Sequence, residues 1–150
     1  MIYSPATLPT FYFIGVTTSQ SSIMKVFPAW AEYLGLGDVE IKGIDFPAHD
    51  KPENYREAVN FLKNDPLSFG ALITTHKLNL FQACKDMFDV IDPHATLMAE
   101  TSCISKRDGQ LICHAKDPIS SGLSLDGFLP ENHFAKTDAG LFSMGAGGST

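Results

Sequence analysis

The sequence predicts an α/β fold: three αβα layers around an open, mixed, mostly parallel sheet, with one antiparallel strand supplied by a hairpin. Two observations carry this. Short β-rich runs alternate with amphipathic helical segments along nearly the whole chain, a pattern that places helices on both faces of a sheet. One Asp108-Gly109 pair sits between two strand-like runs, and Asp-Gly is a strong hairpin signal, so one strand must run against the others.

The elements follow in order. FYFIGV (11–16) is a compact apolar run that reads as a buried strand, followed by the small polar loop TTSQSS. From Ser22, Ile23, Val26, Phe27, Trp30, Tyr33 and Leu34 fall at helical spacing, with Pro28 as a candidate kink and Gly35 and Gly37 as the stop. VEIKGIDFP (39–47) is a second strand ended by Pro47. ENYREAVNFLKN (53–64) is an amphipathic helix with Tyr55, Val59 and Leu62 in its stripe, broken by Asp65-Pro66. GALITT (70–75) is the third strand. LNLFQACKDMFDVI (78–91) reads as helical, and Pro93 begins another short helix reaching about Met98. TSCISKRDGQLICHA (101–115) is the hairpin, which sets Cys103 opposite His114. Asp117-Pro118 reads as a helix start, with Asp117 as N-cap and Pro118 in the first turn. PENHFAKTDA (130–139) is a polar connector, and GLFSM (140–144) reads as a last strand running into GAGG.

Composition narrows the function. The chain has 150 residues, 44% hydrophobic and 19% charged, enough for one real core and typical of a globular domain. Its formal net charge of −6 and the lack of any basic stripe argue against nucleic acid. No apolar run is long enough to span a membrane, and the first residues lack a basic head and long apolar segment. Three cysteines, Cys84, Cys103 and Cys113, without CxxC spacing suit free thiols in a reducing cytoplasm and give no metal site.

Three pieces fall at strand ends, where a sheet of this type places its cleft. Ser19 and Ser21 lie in the loop after the first strand; two hydroxyls beside a helix N-terminus suit a carboxylate, although plain N-capping by Ser21 or Ser22 is the reading spacing alone favours. His76-Lys77 follows the third strand, where a structural histidine beside a surface lysine is the commoner arrangement. Asp117 opens the helix after the hairpin. Gly145, Gly147 and Gly148 form the start of a phosphate-binding turn, expected to bind a dinucleotide.

Taken in order, FIGV…SQSSIM, ITTHK, RDGQLICHAKD and GAGG resemble the shikimate/quinate dehydrogenase family. That family carries S-x-S-P-x-M, T-x-P-H-K, A-V-N-T and R-D-G-x-L-x-G-x-N-T-D in its substrate domain, then a second domain opening with GAGG that binds NADP or NAD. The resemblance implies a substrate-binding domain over 1–136. Residues 137–150 would then be a linker, first strand and glycine-rich loop of a following nucleotide-binding domain. It implies Lys77 and Asp117 as the catalytic pair and Ser19 and Ser21 as the clamp on a substrate carboxylate. The cofactor, NADP or NAD, would be held mainly by the second domain, with no metal. The implied partner is a small hydroxy-carboxylate; a cytoplasmic protein and a homodimer are compatible with it. Residues 1–150 alone are expected to be inactive.

Departures from the pattern are informative. Ile73 stands where the family has Thr, Thr75 where it has Pro, Ser102 for the Asn that reads ring hydroxyls, Cys103 for the next Thr, and Ala115-Lys116 for Asn-Thr. An unmatched buried polar group costs about 1–3 kcal/mol, so two losses weaken shikimate binding by roughly two orders of magnitude or more. An altered substrate follows, with Thr74 or Ser102 restoring one hydrogen bond. The alternative is a non-catalytic acid-binding or regulatory protein on the same scaffold. Lys116 adds a second cation, read as solvent-facing.

Overall fold

The computed structural model describes residues 3–144. Six strands form one sheet: β1 Thr10–Gly15, β2 Glu40–Asp45, β3 Ser68–Ile73, β4 Val90–Ile91, β5 Cys103–Arg107 and β6 Gln110–His114, in the order β2-β1-β3-β5-β6-β4. β1 pairs in parallel with β2 and β3, and β4 with β6, while β5 is antiparallel to both β3 and β6. β5 is therefore the lone reversed strand, and the mixed, mostly parallel sheet is as expected.

The helices are α1 Ile23–Tyr33, α2 Pro52–Asn64, α3 Lys77–Cys84, α4 Pro93–Met98, α5 Asp117–Asp126 and α6 His133–Lys136. β1 shows why two layers of helix are needed. Tyr12 and Ile14 point into a cluster with Tyr55, Ala58, Val59 and Leu62 of α2 and Leu80, Phe81 and Cys84 of α3. Residues of opposite parity face the other way, where Phe11 stacks on Phe27 of α1 with ring centroids 5.2 Å apart. Each large apolar side chain so buried contributes roughly 1.5–3 kcal/mol. On the solvent side, Arg56 of α2 makes a bidentate pair with Asp86 at 2.6 and 2.9 Å and also donates to the Ala83 carbonyl, tying α2 to the end of α3.

Two glycine-dependent features fix the sheet. Gly70 has φ +122°, and a Cβ there would lie 2.0 Å from the Ile104 carbonyl oxygen, so β3 and β5 approach only because that atom is missing. The hairpin turn has positive φ at both Asp108 and Gly109, 52° and 77°, as a two-residue turn of this twist requires.

Several expectations are corrected. Residues 78–91 are not one helix: α3 ends at Cys84, a 3-10 turn covers Lys85–Met87, and Val90–Ile91 joins the sheet beside β6. Asp89 drives this, since its amide bonds the Leu111 carbonyl while its Oδ2 accepts from the Leu111 amide. Residues 140–144 form no strand: no strand among the described residues pairs with them, and Phe142 is 85% exposed. The connector holds a short helix, α6. Pro28 sits within α1, which continues through it. Gly145, Gly147 and Gly148 lie outside the described residues.

Candidate active site

Strand direction brings the candidate residues to one rim. β1 and β3 end there, and β6, parallel to them, ends there too; reversed β5 begins there, with Leu72 opposite Cys103 and the Ile73 amide bonded to the Ser102 carbonyl. The 16–22 loop, the 74–77 turn, the 100–102 segment and the 115–117 segment thus lie along one edge of the sheet. This is where open α/β sheets hold ligands.

Lys77 is the first residue of α3, and its amide bonds the Thr74 carbonyl. Its Nζ forms an ion pair with Oδ2 of Asp117, the first residue of α5. The two side chains are 18% and 24% exposed, so the pair is mostly shielded but still reached by solvent. Asp117 is not the N-cap; Lys116 holds that position and makes no side-chain cap, and the Asp117 carboxylate is directed to the lysine instead.

His76 is structural. It is 1% exposed, with Nε2 3.2 Å from the Gly15 carbonyl and Nδ1 3.0 Å from the Tyr55 hydroxyl. A carbonyl only accepts, so Nε2 carries the proton and donates, and Nδ1 accepts from Tyr55, whose oxygen accepts from the Asp50 amide. This chain clamps the turn from which Lys77 emerges.

The other candidates divide. Thr74 is exposed at the rim, its amide bonded to the Ile14 carbonyl. Ser19 is exposed in a 3-10 turn, Thr18–Gln20, and Ser21 follows it half-buried; Asp45 holds that turn by accepting from the Thr18 amide at 2.8 Å. The N-cap residue of α1 is Ser22, which makes no side-chain cap hydrogen bond, so capping does not account for the serines. Ser102 is 1% exposed, and its Oγ accepts from the Lys116 amide at 2.8 Å. Its hydroxyl oxygen therefore anchors the entry to α5 and so positions Asp117.

Around this site, Lys116 is half-exposed with Nζ 3.5 Å from Asp92 Oδ2. The same oxygen lies 3.2 Å from Nδ1 of His114, whose Nε2 is 2.8 Å from the Ser105 hydroxyl, and Asp92 Oδ1 caps α4 at Ala95. The array binds the hairpin to α4. Cys103 sits opposite His114 as expected, and burial pushes its thiol pKa up, away from thiolate chemistry.

Sequence reasoning missed Glu100. It is fully buried beside the pair, and neither carboxylate oxygen has a hydrogen-bond partner among the described residues. Burial raises its pKa; the nearby Lys77 charge opposes that rise and Asp117 adds to it. One sign was available: Glu100 is the lone charged residue in the run Thr96–Ser105, which ends in a buried strand.

No family model matches this sequence, and no curated protein matches it. Solved structures do. Shikimate dehydrogenase from Aquifex aeolicus matches at 19% identity and TM-score 0.67, covering 87% of this chain and 45% of that one. Shikimate 5-dehydrogenase from Thermus thermophilus, solved with NADP(H) and shikimate, matches at 19% identity and TM-score 0.62, covering 82% and 44%. Ligand-free 5-ketofructose reductase of a Gluconobacter species matches at 22% identity and TM-score 0.65, covering 81% and 40%. The chain spans less than half the length of these structures. The architecture around Lys77 and Asp117 is thus a shikimate dehydrogenase-like fold.

Proposed function

We propose that the whole protein is an NADP- or NAD-dependent oxidoreductase acting on a hydroxyl of a small, cyclic hydroxy-carboxylic acid, with Lys77 and Asp117 as its proton-handling pair. The observation that carries this is the Lys77–Asp117 ion pair at the strand rim, contributed by the first residues of two helices and partly exposed. A ligand-binding sheet protein has no need of such a pair; proton transfer does. Similar structures solved with NADP(H) and with NAD, and their dehydrogenase names, support the class.

In this reading Ser19 and Ser21 take the substrate carboxylate, and Thr74 presents a hydroxyl to the ring. Ser102 acts from beneath by holding Asp117. The pair fits a nicotinamide reaction because oxidation of an alcohol by hydride loss also releases the hydroxyl proton, which a base beside the substrate oxygen must accept. A nicotinamide, bound mainly by residues following this domain and beginning with Gly145, Gly147 and Gly148, supplies the hydride acceptor. Lys77 Nζ exchanges the proton on that oxygen, and Asp117 keeps Nζ aimed at it. As an ammonium, Lys77 also stabilises negative charge developing there.

The second reading, an acid-binding protein on this scaffold, is favoured by the commitment of Ser102 to Lys116 rather than to a ligand. One experiment separates the two. The whole protein and its Lys77→Met variant are incubated with NADP+ or NAD+ and shikimate, quinate and related acids, following reduced nicotinamide by absorbance. A rate that falls about 10²–10⁴-fold in the variant supports the enzyme. Silence from a folded protein whose melting temperature an acid raises supports the binder.

A further inference from the structure

Buried glutamates without partners are rare, because an ionised carboxylate out of water costs several kcal/mol unless donors reach it. Glu100 is such a group, and the chain has gone to some trouble to place it. Ala99 takes a left-handed conformation, φ 50°, which turns the chain sharply after α4. The Glu100 amide then bonds the Ala95 carbonyl, the Thr101 amide bonds the Lys77 carbonyl, and the Ser102 amide bonds the His114 carbonyl. The segment is stitched to the start of α3 and the end of β6, the two elements that deliver Lys77 and Asp117.

We propose that Glu100 is a positioning residue of the Lys77–Asp117 site: a buried third carboxyl that, when it ionises, draws the Lys77 ammonium inward from Asp117 and from the substrate. This rests on the function proposed above. Among the described residues, the charges that act on Glu100 are those of Lys77 from α3 and Asp117 from α5. Its neighbours in the chain, Ala99 and Thr101, and Ala95 of α4 are uncharged. While Glu100 keeps its proton, the site holds one ammonium and one carboxylate, and Lys77 stays on Asp117. Once that proton is lost, two carboxylates compete for one ammonium, and the inner one has no other donor. Catalysis by the wild type then falls, relative to a variant without this carboxyl, as pH rises, through displacement of the Lys77 side chain. Burial and the Asp117 charge delay this transition to above the ordinary carboxyl range.

The test has two arms on the whole protein. In the first, the Glu100 side-chain carboxyl carbon, labelled with 13C and assigned by its loss in Glu100→Gln, is titrated by NMR. Its midpoint should lie above those of exposed glutamates, rise in Lys77→Met and fall in Asp117→Asn. A midpoint among the exposed glutamates, or one indifferent to Lys77→Met, overturns the proposal. In the second arm, kcat/KM with NADP+ or NAD+ and shikimate or quinate is followed against pH for wild type, Glu100→Gln and Glu100→Met. The variant-to-wild-type ratio should climb with pH by about tenfold to a hundredfold, the usual cost of a misplaced catalytic group. Parallel profiles in both variants overturn it. If wild type turns over none of these acids, the function reading fails for them, and the titration alone decides whether Glu100 is coupled to the pair.

Discussion

α2 and α5 begin alike, each with a proline in its first turn, and are built for different purposes. α2 buries Tyr55, Ala58, Val59 and Leu62, while α5 buries none of its residues among those described. α5 instead leaves Ile119, Leu123 and Leu125 exposed, and Phe128 just beyond its end is exposed too. What α5 does contribute is its start: Lys116 bonds Ser102, and Asp117 meets Lys77. One helix is held by its face and carries the fold. The other is held by its first turn and carries the site, and its apolar outer face is exposed in residues 3–144.

The contrast can be broken most forcefully in α2. Leu62→Ala, at a fully buried position, should cost about 2–5 kcal/mol, read as a lowered denaturation midpoint; a change near zero would mean that α2 is not the principal support of the sheet. At the anchor of α5, Ser102→Ala leaves the Lys116 amide without its acceptor and should cost about 1–3 kcal/mol. In the whole protein it should lower kcat more than it raises KM, because it loosens Asp117 rather than a substrate contact.

A smaller, pH-dependent effect is expected at Glu100. Its folded pKa is raised, so its protonated form favours the fold below the ordinary glutamate range, and that contribution is lost as pH rises through the raised value. Melting temperatures of wild type and Glu100→Met should therefore diverge with rising pH, with wild type falling behind. Constant spacing between the two curves would show that Glu100 does not titrate differently in the folded state. The smallest effect belongs to the outer face of α5: Leu123→Ala, at a side chain 67% exposed, should change the stability of residues 1–150 by no more than about 0.5 kcal/mol.

Much of this was legible in the sequence, for reasons that differ by element. β1, β3 and the hairpin announce themselves by local apolar runs and by Asp108-Gly109, whose positive φ angles need those residue types. Lys77 and Asp117 stand 40 residues apart, and only the order of motifs suggested that they meet; the ion pair itself is a product of sheet topology. β4 was hidden because two residues set no period, and Val90–Ile91 becomes a strand only through the Asp89 bonds to Leu111. Residues 140–144 show the opposite failure: β-forming side chains without a neighbouring strand make no ladder. Glu100 was passed over because a charged residue reads as solvent-facing until its burial is seen, and Ser102 reads as a ligand contact because the backbone amide its hydroxyl answers comes close only in three dimensions.

The reversal of β5 has a practical consequence. Because this strand starts at the rim that holds Lys77 and Asp117, the turn that follows it is carried to the far side of the sheet, where Arg107 and Asp108 are 82% and 89% exposed. The hairpin tip is therefore the natural attachment point for a fluorophore or an affinity handle: the strand's length separates it from Lys77, and cargo placed there leaves the approach to the rim clear.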